Sequence, residues 1–195
     1  FDVQRTPVKY GYGQVWDAAD INGGNCTSMD NSAHGSTVTG AAAGNGRATG
    51  FNNGAAPDAD LIVVETDFGL SNWSLTVADA VDFIFAMADT LGKPAVITAS
   101  VGSYLGSHDG KDPASLVIDS LLNDQNGRLF VCAGGNSGNQ KPYHVNGQVL
   151  PDTSFTWLIN NDNSAFSGDA VYFDLWADTA DFYQATFAMG AESRG

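Results

Sequence analysis

Three stretches of the chain are apolar almost without a break: Leu61–Thr66, Ala95–Ser100 and Leu129–Ala133. A strand with one wet face alternates apolar and polar residues, whereas a strand covered on both faces reads as a continuous run. Segments with helical spacing separate these runs. Val77, Ala80, Val81, Ile84 and Ala88 share one face of a helix that Thr76 and Asp79 open as a capping box and Leu91-Gly92-Lys93-Pro94 stops. Asp112 caps a second helix with Pro113 in its first turn, and Ala114, Val117, Ile118, Leu121 and Leu122 form its apolar stripe. Asn126-Gly127 then turns the chain into the third run. The alternation predicts an α/β fold, a parallel sheet flanked by helices on both faces and joined by right-handed crossovers.

The flanks read differently. Val8–Val15 alternates only loosely, and Asp20–Asp30 is polar and glycine-rich, which predicts loop. From His34 onward, Val38, Ala41 and Ala42 give a thin stripe of small residues, as in a short helix lying close against a sheet, with Asn45-Gly46 ending it. Gly50–Asp60 is a turn-rich connection. In the tail, Phe155–Ile159, Val171–Trp176 and Phe182–Met189 are separated by polar runs, and Val171, Phe173 and Leu175 alternate against Tyr172 and Asp174. That pattern predicts a small antiparallel β extension. The expected organisation is an α/β domain over residues 1–153 and a β-rich extension or insertion over 154–195.

Composition narrows the partners. The 22 acidic and 8 basic residues leave a net charge of −14, which argues against nucleic acid or an anionic membrane surface. No stretch approaches the roughly 18 apolar residues needed to cross a bilayer. The start Phe1-Asp2-Val3 lacks both an initiating methionine and the layout of a secretion signal, which reads as a cut chain. Cys26 and Cys132 permit one disulfide or two free thiols, at least one of them buried. Few lysines and many Asn, Asp and Gly fit a secreted, periplasmic or cell-surface protein.

Sites in open parallel sheets form beyond the carboxyl ends of the strands. Three features fall there: Ser100-Val101-Gly102, the turn Gly134–Gly138 that contains Asn136, and the segment opening at His34. Histidine changes charge near neutrality and can carry a proton, and an asparagine amide can donate to a developing oxyanion. A base and an oxyanion donor are thus in hand, with no evident nucleophile. His108-Asp109 does not read as a second catalytic pair, because adjacent residues seldom face each other. Together with His144 these histidines are too dispersed for zinc, while Asp20 or Asp30 could join a structural calcium site; no cofactor is required. Gly44-Asn45-Gly46 follows a helix instead of preceding one, which speaks against a nucleotide-binding loop.

Taken in order, these segments resemble the subtilisin-like serine proteases, the subtilases (peptidase S8). His34-Gly35-Ser36-Thr37-Val38-Thr39-Gly40 is similar to the family's His-Gly-Thr-His-Val-Ala-Gly, departing at Ser36, Thr37 and Thr39. Ala55-Ala56-Pro57-Asp58-Ala59-Asp60-Leu61 resembles the lead into the family's next strand, Ser100-Val101-Gly102 its substrate-side strand end, and Ala133-Gly134-Gly135-Asn136-Ser137-Gly138 its oxyanion segment. The resemblance implies peptide-bond hydrolysis, with His34 as general base, Asn136 in the oxyanion hole, and Ser100, Val101 and Gly102 binding an extended peptide. It also implies an aspartate before His34 and a serine in Gly-Thr-Ser-Met-Ala after Asn136. Asp2 and Asp17 lack the context of that aspartate, and Ser28-Met29 lacks the glycine and threonine and lies on the wrong side. The chain is therefore expected to be an internal piece of a secreted serine endopeptidase, inactive alone and completed by other segments of the same parent. The alternative is a pseudoprotease or peptide-binding module that keeps the fold without the missing residues.

Overall fold

The computed structural model describes residues 5–136, 138 and 173–190. They fall into two compact units, one running to Gly102 and resuming over Lys111–Gly134, the other comprising Ser103–Gly110 and the residues from Gly135 onward.

In the first unit the elements run α1 (Ala18–Asn22), α2 (His34–Ala43), α3 (Trp73–Thr90), β1 (Ala95–Ala99), α4 (Pro113–Asp124) and β2 (Arg128–Cys132). β1 and β2 pair in parallel with Ile97 opposite Phe130. The ladder is prolonged by Ala95 N–H to Gly127 O at 2.9 Å and Ala133 N–H to Ala99 O at 3.2 Å. Parallel neighbours need a crossover, and α4 supplies it.

The core lies between this two-stranded sheet and the α3–α4 pair. Val81 and Phe85 of α3 and Ile97 of β1 are buried, with Ile118, Leu121, Leu122 and Phe130 packed around them. The buried positions of α3 are Ala78, Val81, Phe85 and Ala88, three or four apart as a helix face requires. Val77 and Ala80, expected on that face, are half-buried at its margin. α3 also begins a turn earlier than its Thr76 cap predicted: Asn72 is the N-cap, and Thr76 Oγ1 donates to Trp73 O at 2.8 Å. Asp112 caps α4 as expected, accepting the Ser115 N–H at 3.1 Å. The Ser115 hydroxyl, the dominant cause, holds the Asp112 carboxyl below the usual carboxylate range. Gly127, at φ 88°, makes the turn into β2.

Several expectations are corrected. Leu61–Thr66 forms no strand, and Leu61, Val63 and Val64 are exposed. An apolar run becomes a buried strand only where a ladder partner and covering layers meet it. Among the described residues the sheet has only β1 and β2, so this run stays unpaired. Val96, Leu129 and Val131 are exposed as well, so among the described residues the helices pack on one sheet face and these side chains of the other face stay exposed. Asp20–Asn22, read as loop, belongs to α1, closed by a capping box between Asp17 and Asp20, and Arg5 Nη2 donates to Asp20 at 2.9 Å. Both cysteines are free thiols; Cys26 is half-buried and Cys132, at the end of β2, is exposed, so neither is fully buried.

The segment ahead of α1 docks on α3. Tyr10 Oη donates to Asp82 and Tyr12 Oη to Asp79, each at 2.6 Å. Burial and the hydrogen bond to Asp79 push the Tyr12 phenol up to about 12.

In the second unit, residues 173–190 contain α5 (Thr179–Phe182) and no strand. The strands expected over Phe173–Trp176 and Phe182–Met189 are absent there; Asp178 and Asp181 favour a helical turn over a ladder. Phe155–Ile159, Val171 and Tyr172 lie outside the described residues. Among the described residues no helix is long and apolar enough to cross a membrane.

Candidate functional site

His34 is the first residue of α2 and is exposed. The N-terminus of α2, which His34 opens, is capped in an unusual way. Ala33, at the N-cap, has a left-handed backbone with φ 60° and no side chain to accept the first amides; that conformation is unfavourable for alanine by roughly 1–2 kcal/mol. The missing acceptor is replaced from upstream. Asp30 Oδ2 accepts the Ser36 N–H at 2.7 Å, and Oδ1 accepts the Ser32 N–H and Ser32 hydroxyl, each at 3.1 Å. The Ser32 hydroxyl in turn accepts the His34 N–H at 3.2 Å. The Ser36 amide and hydroxyl, then Ser32, hold the Asp30 carboxyl well below the usual carboxylate range.

The far end of α2 is anchored by backbone contact. Gly54 N–H donates to Gly44 O at 2.7 Å, Ala55 N–H to Ala41 O at 3.1 Å and Ala56 N–H to Ala42 O at 2.8 Å, which satisfies carbonyls that a helix end leaves open. A Cβ on Gly54 would meet Gly44 N at 2.6 Å, Ala43 N at 2.7 Å and Gly40 O at 2.8 Å, so only glycine fits. The expected stripe of α2 against a sheet is replaced by this loop, and Ala43 is the helix's one fully buried residue. Thr37 turns inward on its own helix: its hydroxyl donates to Ala33 O at 2.7 Å.

Ser100, Val101 and Gly102 follow β1 in the same unit as His34. Ser100 and Val101 are half-buried, Gly102 is exposed, and a Cβ at Gly102 would meet nothing within 4 Å. Asn136 belongs to the other unit, exposed in a bend after Gly135, whose φ of 83° calls for glycine. Ser137 and His144 lie outside the described residues.

His108, at φ 51°, donates from Nε2 to Tyr104 O at 3.1 Å, and Asp109 accepts from the Ser107 hydroxyl at 2.7 Å. Each is engaged within its own loop. Among the described residues no three metal-ligating side chains cluster. Asp20 is engaged with Arg5 and Asp30 with the start of α2.

Asp30, by residue type a candidate calcium ligand, instead organises the turn that presents His34. The legible signal was Asp30-x-Ser32 just before a helix, the spacing of a side-chain-capped Asx turn.

The sequence model of the subtilase family, peptidase S8, matches residues 9–164. No solved structure matches the chain.

Proposed function

Since this chain belongs to the subtilase family, we propose that it is part of the catalytic domain of a serine endopeptidase, with His34 as the general base. The observation that carries the reading is an exposed histidine at the head of a helix clamped at both ends, inside the family match. A base must hold one orientation within about 3 Å of the hydroxyl it deprotonates, and a clamped helix start provides that.

In this reading a serine supplied by another segment of the parent attacks the substrate carbonyl. His34 accepts the hydroxyl proton and returns it to the leaving amine. The Asn136 amide donates to the oxyanion, and Ser100, Val101 and Gly102 offer backbone groups to an extended peptide. No cofactor takes part, and the parent works outside the cytoplasm, as a secreted, periplasmic or cell-surface enzyme. The chain contains no Gly-Thr-Ser-Met, so in isolation it is inactive.

A fluorophosphonate probe tests this directly. The chain alone is expected to stay unlabelled, whereas the protein that also carries the aspartate and serine segments is labelled and cleaves a fluorogenic protein substrate. His34→Ala in that protein should lower kcat roughly 10²–10⁴-fold. Stoichiometric labelling of the chain alone, or full activity without His34, contradicts the reading. A second reading, a peptide-binding pseudoprotease, takes its motive from the departures Thr37 and Thr39 in the histidine motif, although neither removes the proton-transferring His34; it predicts peptide binding by the parent with no turnover.

A further inference from the structure

The turn before α2 is organised by the Asp30 carboxylate, with the Ser32 hydroxyl as its relay. Asp30 reaches the backbone on both sides of His34, at Ser32 and at Ser36, and through the Ser32 hydroxyl it reaches the His34 amide itself. Ala33 contributes no cap and sits in a left-handed conformation that the surrounding turn must impose. The first turn of α2 contains no acidic residue, so no side chain there duplicates the Asp30 carboxylate. Gly35 lies beneath it: a Cβ there would be 3.6 Å from Asp30 Oδ2, in ordinary contact.

We propose that Asp30 is the positioning residue of His34. Its carboxylate fixes the Ser32–Ser36 turn and thereby the backbone from which the imidazole projects. The proposal rests on the reading of His34 as the general base. Asp30 takes no proton from the substrate and acts only through His34. The hydrogen bonds from Ser36 and Ser32 that draw its carboxyl down keep it ionised and accepting throughout the neutral range.

NMR of this chain tests it, with Asp30→Ala removing both acceptor oxygens and Asp30→Asn keeping one. In Asp30→Ala the Ser36 amide should lose protection from hydrogen exchange roughly tenfold. The His34 ring signals should shift and broaden, while those of His108 and the amides of α3 and α4 stay in place. Asp30→Asn should fall between, and it carries the comparison if α2 unfolds in the alanine variant. In the active parent, Asp30→Ala should lower kcat about 10–100-fold at unchanged KM, the signature of a misaimed base. Unmoved His34 ring signals, or an unchanged kcat in a parent that depends on His34, overturns the proposal. A parent that hydrolyses no peptide overturns the reading of His34 as base, and the ring signals of this chain still decide whether Asp30 positions it.

Discussion

Replacing Gly54 by alanine tests how the loop grips α2. The added Cβ would lie 2.6–2.8 Å from Gly44 N, Ala43 N and Gly40 O, all backbone atoms that cannot rotate away. Comfortable contact needs about 3.5 Å, so loop and helix must separate by roughly 0.8 Å. The Gly54 N–H to Gly44 O bond, now 2.7 Å, would stretch to about the limit of a hydrogen bond, and those from Ala55 and Ala56 would lengthen with it. Losing one or two such bonds at about 1 kcal/mol each, together with residual overpacking, gives a destabilisation of about 2–3 kcal/mol. At roughly 2–4 °C per kcal/mol this lowers the melting temperature by about 4–12 °C, read by far-UV circular dichroism on heating. Two neighbouring glycines serve as controls. A Cβ on Gly40, inside α2, meets nothing within 4 Å, and Gly40→Ala should stabilise by about 0.5–1 kcal/mol through higher helix propensity. Gly50 is equally open but has φ 76°, so Gly50→Ala should cost about 1 kcal/mol from backbone strain alone. Equal melting temperatures for the Gly54 and Gly40 variants would refute the claim that the loop holds the helix by close backbone approach.

The core and the α4 cap make two further predictions. Phe85 is 1 % exposed, and the Arg128 guanidinium lies over its ring at 4.9 Å; Phe85→Ala should cost about 3–5 kcal/mol in urea unfolding, whereas Phe68→Ala, at a side chain 53 % exposed, should cost far less. Similar midpoints for the two would place the core elsewhere. Asp112→Ala should destabilise by about 1 kcal/mol through loss of the α4 N-cap. Because the folded-state Asp112 carboxyl titrates below its unfolded value, its contribution is fully present above about pH 4 and is lost as pH falls through the lower folded value. Asp112→Asn should keep much of the cap and flatten this acid limb; an unaltered pH profile of melting temperature in that variant would count against the assignment.

Short-range features were legible from the residues alone. The Asp112 cap with Pro113, the Gly127 turn, the α3 stripe and the runs that became β1 and β2 each depend on residues within a few positions of one another. The histidine motif was legible for the same reason, since His34 to Gly40 is one uninterrupted stretch. What failed was non-local. Leu61–Thr66 has a strand's composition, but composition cannot supply the ladder partner it lacks among the described residues. Phe173, Leu175 and their neighbours alternate as a strand would, yet the described tail contains only the turn of helix at Thr179–Phe182.

The sequence by itself determined the apolar stripes of α3 and α4, the Asp112 cap, the β1–α4–β2 order, and family membership through ordered motifs. Only the tertiary structure decided that α3 and α4 cover one face of the sheet and that Gly54 presses on the end of α2, whereas the Asp30 turn at His34 lies within one short stretch that Asp30-x-Ser32 signals. Periodicity and capping act over one or two turns of chain, so neighbouring residues encode them. A loop backbone crossing the end of α2 closely enough to exclude a Cβ, or two helices meeting on one sheet face, depends on where the folded chain returns.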